Sequence, residues 1–262
     1  MNSKGVYKTT KKDGSTYYRV SITYKNKHIS LGSFDEEIKA VLVYEEAWNI
    51  LKDQTISINS YNSSYHIPFE KMVCLINFRD NGMYISTPIY IRAKIFYYYL
   101  SVEQMLIFDV DDLFYYSSHK IMKRGNHLFV ADYGMQVNIA SRYGIKNHAV
   151  LGKDYDFING NKNDYRYSNI VIYNKYQGIL PINKNGKMLY KSKIHIKGDF
   201  VIGTFDTIEK AAIAYNKAAD TLKKNGCPKE YVQNFIDSIS PSEYAQIYTS
   251  IKLPSKITSL KF

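Results

Sequence analysis

Cysteine is nearly absent. Cys74 and Cys227 are the only two in 262 residues, far apart and outside any CxxC pattern. That excludes a disulfide scaffold and a cysteine zinc site, and it fits a reducing cytoplasm. Long apolar runs are missing too. The most apolar stretch, Ile89 to Phe108, is broken by Arg92, Lys94 and Glu103, and no charged-then-apolar leader stands at the N-terminus. Neither a membrane span nor a secretion signal is expected. Acidic residues are in the minority, 24 against 35 Lys and Arg, for a formal charge of +11. Such an excess favours a polyanionic partner, nucleic acid first, although a generally basic surface has the same composition. The length allows two or three small domains, each with its own core.

What is present is a repeat. Near the start, LGSFD (Leu31 to Asp35) precedes a run with apolar residues at Ala40, Val43, Tyr44, Ala47 and Leu51. Near the end, IGTFD (Ile202 to Asp206) precedes Ala211, Ala214, Tyr215, Ala218 and Leu222, every helical position displaced by 171 residues. The i, i+3, i+4, i+7 spacing predicts one amphipathic helix per copy. Each copy also begins with alternating residues, YYRVSITY from Tyr17 and LYKSKIHI from Leu189, whose period of two predicts half-buried strands. The expected fold class is α+β, a small three-stranded antiparallel sheet plus one helix at each end. Lys12-Asp13-Gly14-Ser15 and Lys25-Asn26-Lys27 read as turns, and Asp35 and Asp206 as helix caps.

Between the copies, Asp53 to Ser64 reads as a Ser- and Asn-rich linker, Met83 to Phe108 as several strands, Asp109 to Ser118 as a short capped helix, and His127 to Val137 as a hairpin. The capping positions of Asp109, Asp111 and Asp112 outweigh a metal site there. The expected divisions are 1–53, a linker at 54–64, a central region at 65–175 with a distinct segment at 154–175, a second module at 176–226 and an extension at 227–262.

That distinct segment, DFINGNKNDYRYSNIVIY from Asp156, resembles the HNH nuclease signature. Asp156, Ile158, Asn159, Gly160, Asn161, Asp164, Arg166 and Asn169 stand where that family has its scaffold residues. The resemblance implies two strands and a helix around one divalent metal, with a general-base His directly after the Asp. Here that position is Phe157, which cannot take a proton. By the family's spacing the second metal ligand falls near Gly178, which has no side chain, with Asn174 or Gln177 as neighbours if the register slips. His148 lies too far upstream to be counted as the missing base. A calcium loop from Asp154, Asp156, Asn159 and Asn161 fails the helix-loop-helix register at Ile158 and Asn159. No catalytic residue, metal or cofactor is therefore expected, and the Asn and Asp side chains are expected to hold the loop together.

From Tyr176 to Leu222 the chain is similar to the APETALA-type DNA-binding domain of plant ethylene-response factors, found also behind HNH motifs in phage homing endonucleases. The opening GVYKTT…LGSFD…AWNIL looks like the same domain, and the three resemblances cover about 170 of the 262 residues. In that family the outer face of the sheet enters the major groove, which a sheet of two or three strands fits. With Tyr190, Ser192, Ile194 and Ile196 inward, the second copy presents Lys191, Lys193 and His195, with Lys184 and Lys187 nearby, as a cationic face without acidic residues. The first presents Arg19, Ser21 and Thr23, helped by Lys8, Lys11, Lys12 and Lys27. The resemblance implies a double-stranded DNA partner and a protein descended from a phage homing endonuclease that has lost cleavage, a regulator or DNA-masking factor in the host cytoplasm. The alternatives are an inhibitor of a host defence protein, using an aromatic surface of Phe96 to Tyr99 and Phe114 to Tyr116, and a working nuclease with substituted ligands. Oligomeric state has no signature in the sequence.

Overall fold

Period-two runs and 3.6-period runs become strands and helices in the same order at both ends of the chain. The computed structural model describes residues 5–146 and 149–262, so His148 lies outside the described residues. The first module is β1 (Val6–Thr10), β2 (Thr16–Tyr24), β3 (Lys27–Phe34) and α1 (Glu37–Lys52). Next come α2 (Phe69–Asn81), the meander β4 (Ile89–Arg92), β5 (Ile95–Tyr99), β6 (Met105–Asp109), then α3 (Leu113–Ser118) and a second meander, β7 (Ile121–Arg124), β8 (His127–Asp132), β9 (Met135–Asn138). Strands β10 (Tyr155–Phe157) and β11 (Ile170–Ile172) form a two-stranded sheet. The second module is β12 (Ile179–Lys184), β13 (Lys187–His195), β14 (Asp199–Phe205) and α4 (Ile208–Lys224), followed by α5 (Pro241–Ser250) and α6 (Ser255–Thr258). The class is α+β. No helix among the described residues is long and apolar enough to cross a membrane.

The chain forms two compact units, Met1–Tyr143 with Phe157–Val171, and Gly144–Asp156 with Ile172–Phe262. The two modules, one in each unit, repeat down to single atoms. Each middle strand meets the third across a bulge, at Val20/Ser21 in one copy and Ser192/Lys193 in the other. The extra residue on the third strand is Leu31 or Ile202, and both are buried. The next residue is Gly32 or Gly203, where an added Cβ would meet the Phe34 or Phe205 ring at 3.2 or 3.0 Å. The shared L/I-G-x-F motif is thus the signature of a bulge whose glycine lies against the phenylalanine. The opening glycine is shared as well. The carbonyl of Gly5 accepts from Ser21 N–H at 2.9 Å, that of Gly178 from Lys193 N–H at 2.7 Å, and both glycines lie against a tyrosine of the helix, Tyr44 or Tyr215.

The helix caps fall one position away from expectation. Thr207, not Asp206, caps α4 by accepting from Lys210 N–H, and Asp206 instead pairs with Lys210 Nζ at 2.9 Å. Glu36 holds the N-cap position of α1 without a side-chain cap, and the exposed Asp35 pairs with Lys11 at 3.6 Å. The 53–64 stretch is packed rather than a free linker. Ile56, Ile58 and Tyr61 pack on the first core, and Arg79 Nη1 donates to the carbonyls of Ile50, Asp53 and Ile56 at 2.6–2.9 Å. The packing partner is α2, for which the sequence carries no periodic signal because Met72 to Phe78 is buried without a break. Module one and α2 share one core, which removes the expected boundary at residue 65.

The extension at 227–262 is likewise part of the second core. Ile251 and Ile257 are buried against α4, and Lys217 Nζ donates to the carbonyls of Tyr248 and Ile251 at 2.6 and 2.7 Å. α4 is alanine-rich because it is covered on two sides, by its sheet and by α5 and α6. The aromatic middle is mostly core. Phe96, Tyr98 and Tyr116 are at most 1% exposed and stack around Phe108, while Phe114 is 89% exposed. Of the aromatic surface expected at Phe96 to Tyr99 and Phe114 to Tyr116, alternation along β5 buries Phe96 and Tyr98 and leaves Tyr97 and Tyr99 half-buried, as Tyr115 is, so only Phe114 stands fully out.

Candidate nucleic-acid interface

In the first module, strand pairing places Tyr7 beside Arg19 and Arg19 beside Ser33, Ser21 beside Ser30, and Thr23 beside His28. Val20 and Ile22 face the helix, so Arg19 and its neighbours face away from it. The outer face is therefore one guanidinium among hydroxyls and two tyrosines, Tyr7 and Tyr17, with the Lys11 ammonium 5.6 Å over the Tyr17 ring. No acidic residue lies on the three strands. Two lysines expected there belong to the other side. Lys8 pairs with Tyr18, a helix-side residue, and Lys27 pairs with Tyr24 and holds its ammonium 5.8 Å over Tyr84. Lys12 is exposed in the turn before Asp13, whose carboxylate accepts from Ser15.

In the second module the alternation places Ser192 and Ile194 against the helix, and Lys191, Lys193 and His195 outward, with Lys184 opposite Lys187 near the turn. The face is not free of acid. Asp199 on β14 pairs with His195, their side chains 2.9 Å apart, and reaches Lys193 at 3.7 Å. The hydrogen bond from His195 and the nearby Lys193 hold the Asp199 carboxyl below the ordinary range. The sequence hid this contact because Asp199 sits on the neighbouring strand, opposite His195 across a turn. Lys229 Nζ and Tyr231 Oη also donate to the His195 carbonyl at 2.9 and 3.1 Å, so the Lys229–Val232 strap lies over that end of the sheet. The first module's face is the less crowded of the two.

The HNH-like hairpin is a locked loop. Asp164, 1% exposed, accepts from Arg166 Nε and Nη2 at 2.8 and 2.5 Å and from Asn159 Nδ2 at 2.8 Å. Asn169 accepts from Asn159 N–H and donates to the Asp164 carbonyl, both at 2.9 Å. Asn159 and Asn161 each accept from the N–H two residues on. Burial alone would raise the Asp164 carboxyl, but Arg166 and Asn159 outweigh it and hold it low. Asp109 and Asp112, expected as caps, tie this region together: Asp109 accepts from Tyr167 N–H at 2.8 Å, and buried Asp112 accepts from Arg142 at 2.6 Å and Tyr143 Oη at 2.7 Å. Burial and that contact push the Tyr143 hydroxyl far above its ordinary value.

The metal implied by the HNH resemblance does not fit these residues. Asp156 is half-buried in β10, and Phe157 at the general-base position is a core residue packed edge-on to Tyr165 at 5.6 Å. No helix follows β11, because the chain runs from Ile172 into β12 within seven residues. Gly178, at the ligand position, is claimed by the second module, and Asn174 donates to Asp154 and to the Ile179 carbonyl. Among the described residues no three His, Cys, Asp or Glu side chains converge to hold a metal ion. We expect no plasmid nicking in magnesium or manganese at high protein concentration, and the same result for Asp156→Ala. Metal-dependent nicking lost in that variant would restore the nuclease reading.

The chain matches no protein-family model, no curated protein and no solved structure. Its functional reading therefore rests on its own residues.

Proposed function

We propose that this protein binds double-stranded DNA without cleaving it, as a regulator or DNA-masking factor of phage homing-endonuclease descent. The observation that carries the reading is the first module's outer sheet face, where Arg19 stands among Tyr7, Tyr17, Ser21 and Thr23 with no carboxylate on any strand. A guanidinium flanked by hydroxyl donors suits phosphate oxygens and the acceptor edge of guanine in the major groove. The +11 charge supports the same partner. The second module adds Lys184, Lys187 and Lys191 to the attraction, while Asp199 reduces what Lys193 and His195 contribute. Two modules in one chain raise apparent affinity wherever both can engage one duplex.

Fluorescence anisotropy on a labelled duplex over a salt series tests this. The expected log–log slope is about −4 to −6, for some five or six phosphate contacts. Arg19→Ala is expected to weaken binding about tenfold, and Lys191→Ala/Lys193→Ala to flatten the slope by about one. Absence of binding at low salt would overturn the reading.

A further inference from the structure

A cavity of about 390 Å3 lies within the second unit, a volume suited to a nucleotide-sized molecule. Leu180, Lys193 and His195 of the sheet's outer face line it together with Lys146 and the Lys229–Val232 strap. Two of its ammoniums have no carboxylate partner among the described residues. Lys146 Nζ donates to Asn234 Oδ1 at 3.2 Å, an oxygen that already accepts from Gln177 N–H at 2.6 Å. Lys229 Nζ donates to the backbone carbonyl of His195. Burial without a counter-ion pushes the Lys146 ammonium down to about 8, and an anion brought beside it would favour the charged form.

Asp154, Asp199 and Glu230 also line the cavity, and the first two are held by groups other than Lys146 and Lys229. Asp154 accepts from Val150 N–H at 2.7 Å and Asn174 Nδ2 at 3.1 Å, and Asp199 is shared by His195 and Lys193. Glu230 is exposed. Tyr176, Tyr215 and Tyr231 line it beside the aliphatic Ile179, Leu180 and Val232, and the buried Tyr176 hydroxyl has no hydrogen-bond partner among the described residues. Two ammoniums without carboxylates match a dianion better than a single carboxylate, and flat rings suit a base or sugar.

We propose that this cavity binds a phosphomonoester of nucleotide size, with Lys146 and Lys229 taking the phosphate and the tyrosine rings the body. The site is separate from the duplex-binding face of the first module. The phosphomonoester is supplied either by a free nucleotide or by the 5′-phosphate end of a DNA strand.

Calorimetric titration of the full chain with AMP, with adenosine, and with blunt duplexes bearing 5′-phosphate or 5′-hydroxyl ends separates these sources. AMP is expected to saturate with a Kd of about 1 mM or tighter, and adenosine to bind at least about tenfold more weakly. Lys146→Met and Lys229→Met are each expected to weaken AMP about tenfold with an unchanged circular-dichroism spectrum, while Lys252→Met, an exposed lysine outside the cavity, has no effect. Preference for the phosphorylated duplex end without AMP binding, lost in Lys146→Met, assigns the site to DNA ends and still supports the proposal. It is overturned if neither phosphate-bearing probe outbinds its hydroxyl counterpart, or if both lysine variants bind like the parent. Loss of duplex binding in Arg19→Ala leaves the AMP result unchanged, so the two readings fail separately.

Discussion

Gly178→Ala is expected to destabilise the second module, and Gly5→Ala the first, by about 2 to 5 kcal/mol each. A Cβ at Gly178 would stand 2.4 Å from both the Lys193 carbonyl oxygen and the Tyr215 ring, and at Gly5 2.2 Å from the Tyr44 ring and 2.6 Å from the Ser21 carbonyl. A ring alone can turn aside, but the carbonyl belongs to the central strand of the sheet and cannot retreat without breaking its bonded pairs. Both glycines also hold a left-handed backbone, φ +76° and +81°. Overpacking of about 1 to 3 kcal/mol and a left-handed penalty of about 1 to 2 kcal/mol together consume much of a small module's stability. Gly186→Ala isolates the second component. It has the same φ, +76°, with nothing within 4 Å, and is expected to cost only about 1 kcal/mol.

Urea unfolding followed by far-ultraviolet circular dichroism and by the single tryptophan reads these variants. Trp48 lies on α1, so its fluorescence follows the first unit and should report Gly5→Ala directly. A Gly178→Ala protein no less stable than Gly186→Ala would show that the contact at the second module's first strand is wrong. The same geometry predicts that placing a histidine at 178 to rebuild an HNH ligand set destroys the module instead of creating a metal site.

Asp164→Ala carries the second large expectation, a loss of about 3 kcal/mol from the first unit. Removing the carboxylate leaves Arg166 and the Asn159 amide without their common acceptor, inside a loop that bridges to β6 through Ile107. The pH dependence has a definite sign. The Asp164 carboxyl is held below its ordinary 3.8 in the folded protein. Its contribution is thus complete above that value and disappears as pH falls through the lower folded value. The unfolding midpoint of the parent should therefore drop below about pH 4 more steeply than that of Asp164→Ala. Parallel acid limbs in the two proteins would mean that Asp164 contributes no ionic stabilisation.

The repeat, both amphipathic helices and the in-out alternation of β2 and β13 were legible because they depend on local periodicity, which is written residue by residue. The HNH-like loop was legible for the same reason: Asn159, Asn161, Asp164 and Asn169 bond mostly to groups within ten residues. α2 was not, because a helix buried on every side has no polar face to mark its period. Nor was the fate of 53–64, whose polar composition describes its exposed side chains while Arg79, more than twenty residues away, binds its carbonyls.

By itself, then, the sequence determined that this chain is α+β and carries the same sheet-and-helix module twice, with an Asn- and Asp-closed loop between the copies. It could do so because strand alternation, helix period and loop-closing Asn and Asp act over short stretches of chain. Only the tertiary structure decided which charges remain available. Asp199 held beside Lys193 and His195, Lys27 turned to Tyr84, and Lys146 half-buried beside Asn234 without a carboxylate are all contacts between separate elements. Charge is screened or exposed by whatever packs beside it in space, and that neighbour is not written at any fixed distance along the chain.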